Sequence, residues 1–342
     1  MASQSRVIDV HAHAVLPGSL GSAGPAGPEL GWTDGAPWFR VGDYVLHGVR
    51  YEGTPFMDVE RRVAEMDRYG IDIQLLSPNP LTYFTDLDPA LAIGYCRAHN
   101  DDLAQIVQRY PNRLLAAAQL PMQDIRASIT ELRRVVNELG MVAAYIDTDP
   151  GRTLDDPALN EFYAAVVDLN VPLFVHPTSI GPGGPPTDPR LQRFDLDLVI
   201  GFAYQETLAI AALIYGGVLD RFPTLDICLS HGGGALEALA GRMARAGAVR
   251  SWSPQTVRDR GFDSYLRQLW FDTHLHSDRA LRGLAELVGT DHLVYGTNFA
   301  GWDADQPGSY PQAGEADLSA NASKLLRLDD RRRPPPRETS RH

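Results

Sequence analysis

The chain has 342 residues, 31 basic and 43 acidic side chains, a net charge of −12 and 44% hydrophobic residues. That length suits one large α/β barrel or two ordinary domains, and the apolar fraction supports a substantial core. An acidic balance without a basic patch speaks against nucleic acid as a partner. The two cysteines, Cys96 and Cys228, lie in apolar patterns and read as buried, reduced thiols of a cytoplasmic protein. No charged segment followed by an apolar run marks the N-terminus, so no signal peptide is expected. No apolar run reads as long enough to span a bilayer, so no membrane partner is expected either.

The first apolar run, Val7-Ile8-Asp9-Val10-His11-Ala12-His13, reads as a β-branched strand. Alternate residues of a strand point to one side. His11 and His13 therefore present two imidazoles together, an arrangement able to grip one metal ion. Further strands are expected at 71–78, 114–121, 141–148, 171–176, 225–231, 269–274 and 293–298, after a first at 6–13. Helical patterns lie at 58–69, 89–110, 125–138, 157–169, 204–221 and 278–288. Eight strands alternating with helices suit a (β/α)8 barrel better than a doubly wound sheet. A single barrel domain over 1–330 is expected.

Two segments break the rhythm. The stretch from about 14 to 57 is rich in glycine, proline and aromatics, and reads as a packed lid over the barrel mouth. The tail 331–342, with its Arg331-Arg332-Arg333-Pro334-Pro335-Pro336 run, reads as a solvated, disordered end.

The active site of a parallel barrel sits at the C-terminal ends of its strands. There the chain carries His11 and His13 after strand one, His176 after strand five and His231 after strand six. His274 and His276 follow strand seven and Asn298 ends strand eight. One isolated histidine would be read as core or surface, but recurrence at one mouth argues for a site. His47, His99, His292 and His342 show no such placement and read as structural or surface residues.

These segments (Asp-x-His-x-His at 9–13, Val-His-Pro at 175–177, Ser-His-Gly-Gly-Gly at 230–234 and Tyr-Gly-Thr-Asn-Phe at 295–299) resemble the amidohydrolase superfamily. The likeness is greatest to its decarboxylase branch and covers the chain from Val7 to about Leu328. It implies that His11, His13 and His176 ligate a divalent metal, zinc ahead of manganese. It implies that His231 lies just beyond the metal and either orients a bound water or shuttles a proton. Arg50 would bind the substrate carboxylate, for which its planar fork is suited. His276 would contact substrate, and Trp38, Phe84 and Trp302 would shape specificity. The branch also implies a homodimer.

One position departs from the resemblance. The family carries aspartate where this chain has Asn298. Asparagine cannot take a proton from water, and its neutral carbonyl is a weak ligand. Asn298 as a weak ligand or outer partner, Asp303 folding back to replace it, and a weakened site are the three outcomes. Hydrolysis needs the missing base, whereas non-oxidative decarboxylation needs a metal, a proton donor and a dry site. The expected function is therefore metal-dependent decarboxylation of a small aromatic or unsaturated carboxylic acid. Hydrolysis of a small lactone or amide, and a degenerate barrel with a binding role, are the alternatives.

Overall fold

In the computed structural model, which describes residues 6–179, 188–299, 301–304, 307 and 316–331, eight parallel strands form one sheet. They are β1 (Ile8–Ala14), β5 (Ile73–Pro78), β6 (Leu114–Gln119), β7 (Ala143–Asp147), β8 (Leu173–His176), β9 (Ile227–Leu229), β10 (Trp270–Asp272) and β11 (Leu293–Val294). Neighbours in the sheet are neighbours in sequence. Val10 N donates to Tyr295 O at 2.9 Å and Phe299 N to His11 O at 3.2 Å, joining the last strand's end to the first. The architecture is the expected (β/α)8 barrel, with helices on the outside.

Sequence accounts for much of this locally. Helix α1 (Val59–Tyr69) starts where the Asp58 carboxylate accepts from Arg61 N, and stops at Gly70, whose φ of 71° suits glycine. Aspartates 88 and 124 cap α2 (Pro89–Arg109) and α3 (Ile125–Asn137) in the same way. The strands are buried along their whole length, as apolar strands covered by helices must be. One face of the barrel staves carries Tyr145, Phe174 and Trp270, each two residues before a polar strand end. All three are buried, and Tyr145 stacks on Phe174 at 4.9 Å with an interplanar angle of 7°.

The expected strands 225–231 and 293–298 prove shorter, ending at Leu229 and Val294. Beyond them His231 and Asn298 both take φ of 46°, outside the extended region, so pairing cannot continue through them. The expected helix 204–221 is Phe202–Tyr215 followed by Val218–Arg221, broken at Gly217 with φ of 68°. Helix Leu236–Val249, absent from the expected set, buries only Leu236, Ala240 and Gly247, too few large residues to give a strong period. The stretch Asp197–Tyr215 is apolar and long enough by composition to cross a membrane, contrary to the sequence reading. It is a barrel helix here: Ala209, Ile210, Leu213 and Ile214 pack into the core and Glu206 is fully buried.

After β1 the chain leaves the barrel and forms a separate antiparallel sheet of β2 (Glu29–Thr33), β3 (Ala36–Val41) and β4 (Tyr44–His47). The β2–β3 turn is Asp34-Gly35, both at positive φ, the dipeptide that a two-residue hairpin favours. That signal was available in the sequence and marks strands inside what reads as one long connection. The tail 332–342 lies outside the described residues.

His99 on α2 is 1% exposed and neither ring nitrogen has a hydrogen-bond partner among the described residues. Burial pushes its pKa down to about 3. A histidine depressed in the fold is neutral in both states above its unfolded pKa, so it costs nothing there. Between the unfolded value and about 3 only the unfolded state takes the proton, and stability falls as pH falls. His99→Leu should therefore lose less stability than wild type between pH 8 and pH 5, by about 2 kcal/mol. Urea midpoints at the two pH values measure this, and identical pH dependence in both proteins would refute it.

Candidate metal centre and active site

His11 and His13 leave β1 on one side, and His176 is the last residue of β8. Their Nε2 atoms converge: His11 to His13 at 3.1 Å and His13 to His176 at 3.3 Å. The other ring nitrogens fix the tautomers. His13 Nδ1 lies 2.8 Å from Pro78 O and His176 Nδ1 lies 2.6 Å from Pro177 O. A carbonyl oxygen can only accept, so both Nδ1 atoms carry the proton. His11 Nδ1 lies 2.8 Å from Asp272 Oδ2. The other oxygen of Asp272 accepts from Gly232 N and His274 N, as a carboxylate does.

Each Nε2 is therefore a bare lone pair, and the three lone pairs face one another. Protons do not relieve this, because burial holds His11 and His176 well below the usual histidine range and brings His13 down to about 3. A divalent cation would. Tetrahedral ligation at 2.0–2.1 Å separates donor nitrogens by about 3.3 Å, close to the distances seen. Hydrogen-bonded outer nitrogens are also how ligating imidazoles are normally held. The residues present thus fit the metal that the sequence leads one to expect.

A buried network holds β1 in place beneath the histidines. Asp9 accepts from His11 N and Thr297 N at one oxygen, and from Gln74 and Thr297 Oγ1 at the other. Arg62 donates to Gln74 and to His13 O. Strand β5, the segment after β11 and helix α1 are thereby tied to the strand that carries the histidine pair.

His231 stands beside this trio, with ring centroids 5.1 Å from His11 and 5.0 Å from His176. One ring nitrogen each of His11, His176 and His231 lie within 4.8 Å of one another. His231 differs in charge. Burial alone would lower its pKa, but the Glu206 carboxylate 2.9 Å from Nδ1 outweighs this and holds it up at about 9. Glu206 is itself fully buried and pushed up to about 7 by that burial, against the pull of His231. The pair therefore holds a proton at neutral pH, with the imidazole as its carrier.

A cavity of about 610 Å³ opens above the trio. His13, His176 and Asn298 line its floor, Phe202, Phe56, Leu46 and Tyr51 its walls, and Arg50 and Trp302 its edge. Arg50 is exposed, donates from Nε to Glu52 O at 2.9 Å, and pairs with no carboxylate among the described residues. Trp302 is 72% exposed. Three residues expected here do not line the cavity: His276, which meets His274 and Asp303, and the aromatics Trp38 and Phe84. Trp38 belongs to the small sheet, where its indole covers Gly31 and donates to Thr33 Oγ1 at 3.1 Å. Phe84 is buried against Tyr95, ring to ring at 4.8 Å. An aromatic in a loop is as readily used for packing as for recognition, and composition cannot separate the two.

Asn298 donates from Nδ2 to Asp303 Oδ1 at 2.5 Å. Asp303 does fold back toward the mouth, but its Oδ2 meets His274 and His276, at 3.2 and 3.4 Å. Glu206 and Asp272 were not singled out from the sequence. Glu206 had a signal, a lone acid in an apolar helix; Asp272 had its place at the end of a strand.

The family model described as amidohydrolase matches residues 8–333. The chain is 32% identical over 244 residues to 2-amino-3-carboxymuconate-6-semialdehyde decarboxylase of Dictyostelium discoideum, spanning 71% of this chain and 66% of that protein. It is 29% identical to gamma-resorcylate decarboxylase of Rhizobium radiobacter over 80% of this chain and 88% of the other. The crystal structure of 5-carboxyvanillate decarboxylase from Novosphingobium aromaticivorans, complexed with manganese and 4-hydroxy-3-methoxy-5-nitrobenzoic acid, is similar too. It superposes with a TM-score of 0.70 at 25% identity, covering 80% of this chain and 82% of that one. From its trio of strand-end imidazoles to its matched sequence, the chain belongs to the amidohydrolase family.

Proposed function

We propose that the protein is a metal-dependent, non-oxidative decarboxylase of a small aromatic or unsaturated carboxylic acid. The observation that carries this is the set of three Nε2 lone pairs converging beneath a largely apolar cavity, with Arg50, which pairs with no carboxylate among the described residues, at its rim. The names of the relatives support the same chemistry. Hydrolysis is disfavoured because Asn298 cannot accept a proton and Asp303 is engaged by Asn298 and His274.

His11, His13 and His176 would hold the metal, with Asn298 beside it as an outer partner. When bound, the metal supplies a positive centre that anchors and polarises oxygen atoms of the substrate. Zinc is our first choice because imidazole donors suit it, with manganese second. Arg50 binds a substrate carboxylate through its free guanidinium nitrogens. Phe202, Phe56 and Leu46 pack against the ring and exclude water. His231, charged by its contact with Glu206, delivers a proton to the carbon that bears the departing carboxylate. The carbon–carbon bond then breaks, its electron pair stays in the ring system, and carbon dioxide leaves. His276 and Trp302 contact the substrate from the mouth. Segment 14–57 acts as the lid, within one domain covering 1–330.

The exposed apolar residues Val199, Ile200, Tyr204 and Leu208 share one helical stretch and would form the contact of a homodimer. Two unpaired, buried cysteines agree with a cytoplasmic setting.

Metal-loaded protein incubated with gamma-resorcylate or 5-carboxyvanillate in heavy water should release carbon dioxide and place one deuterium on the vacated carbon, read by NMR. No release from either acid, nor from 2-amino-3-carboxymuconate-6-semialdehyde, would overturn the reading. With the acid that turns over, Arg50→Gln should raise KM by about 10- to 100-fold and leave kcat within a few-fold, the cost of one charged hydrogen-bond partner. An unchanged KM would remove Arg50 from substrate binding.

A further inference from the structure

Beside the trio lies a second convergence of ligating atoms, His274, His276 and Asp303, to which the proposed reaction assigns no metal. His274 Nε2 and His276 Nε2 are 3.1 Å apart, and Asp303 Oδ2 is 3.2 Å from the first and 3.4 Å from the second. All three edges of the triangle are short.

Hydrogen bonds among these three groups cannot join all three edges of the triangle. A carboxylate oxygen has lone pairs only, and each ring nitrogen carries at most one proton. With both nitrogens protonated, at most two edges carry a hydrogen bond and the third sets two N–H groups side by side at 3.1 Å. If one is protonated, an edge joins two lone pairs. Two protons cannot serve three edges. A single cation at the centre serves all of them, and tetrahedral ligation of nitrogen and oxygen at 2.0–2.2 Å gives edges of about 3.3–3.5 Å.

The surroundings fit the same conclusion. Asn298 Nδ2 donates to the other oxygen of Asp303, which aims Oδ2 at the imidazoles as outer partners of metal carboxylates do. The His274 side chain is 1% exposed, that of Asp303 17% and that of His276 48%, so the triangle is anchored in the protein through its buried member. Asn298 and His276 hold this geometry with backbone φ of 46° and 51°, a conformation non-glycine residues adopt at a cost. The His274 ring centroid is 5.7 Å from that of His11.

We infer that His274, His276 and Asp303 form a second divalent-cation site adjoining the first, with two imidazoles and one carboxylate suited to zinc. The asparagine amide donates to the carboxylate that serves the neighbouring ion, which an aspartate could not do.

The inference is independent of which reaction the trio supports. Full-length protein is stripped with chelator, reloaded with zinc, dialysed and analysed for zinc per chain, with circular dichroism to confirm folding. Wild type should bind two equivalents. Asp303→Ala and His276→Gln should each bind one, and His13→Ala should also bind one, lost from the other site. One equivalent in wild type, or two that survive both Asp303→Ala and His276→Gln, overturns the inference. If wild type binds one and Asp303→Ala binds none, Asp303 serves the trio and the second site does not exist. Loss of decarboxylation with both equivalents retained would count against the proposed reaction and leave this inference standing.

Discussion

His13→Ala is expected to release the metal held by the trio and to lower turnover by at least about 10³-fold, the several kcal/mol that a Lewis-acid centre contributes. His13 is the member of the trio in short contact with both others, 3.1 Å from His11 and 3.3 Å from His176. Its removal leaves only His11 and His176, with ring centroids 5.0 Å apart, to hold the ion. The change opens a small space and leaves Pro78 O without its partner, so a modest loss of stability accompanies it. Asp272→Asn provides the graded control. It weakens the hold on the His11 tautomer while leaving every ligand in place, and metal affinity should fall by about 10- to 100-fold. Zinc content and turnover measured on both variants decide the matter. Undiminished metal and turnover in His13→Ala would show that the trio is not the working centre.

The second large effect concerns the proton. His231→Asn should lower kcat by about 10²- to 10⁴-fold, the range for loss of a positioned acid, while zinc content stays as in wild type. Asparagine is the appropriate replacement because position 231 has φ of 46°, which asparagine tolerates better than most residues. The substitution would leave Glu206 buried without its cation. The double variant with Glu206→Gln removes that charge and separates stability from catalysis. It should recover thermal stability without recovering kcat. A kcat within a few-fold of wild type in His231→Asn would remove His231 from the chemistry.

The two variants also separate what was legible in the sequence from what was not. Strand ends were legible because burial on both faces forces continuous apolar runs, and a histidine closing such a run is conspicuous. His11, His13 and His176 meet as strand alternation in a barrel requires. The partner of each histidine was not legible in the same way. Asp272 lies 261 residues from His11, and Glu206 lies 25 residues from His231 on a helix. Such contacts depend on which strand follows which around the barrel and on how a helix rotates against it.

The loops were the hardest to read. Trp38 and Phe84 are aromatics in connecting segments, but one packs on a glycine of a hairpin and the other on Tyr95. Asp303 was a candidate to replace the missing aspartate. Its approach to the mouth depends on Asn298 adopting a left-handed backbone, which a sequence does not announce.

The sequence by itself determined the barrel and the histidines at its mouth, because apolar periodicity and strand alternation are local properties of the chain. Only the tertiary structure decided the protonation of those histidines, the pairing of His231 with Glu206 and the capture of Asp303 by His274 and His276. Each of these depends on distances of about 3 Å between residues far apart in the chain, and burial makes each such contact count by removing the water that would otherwise screen it.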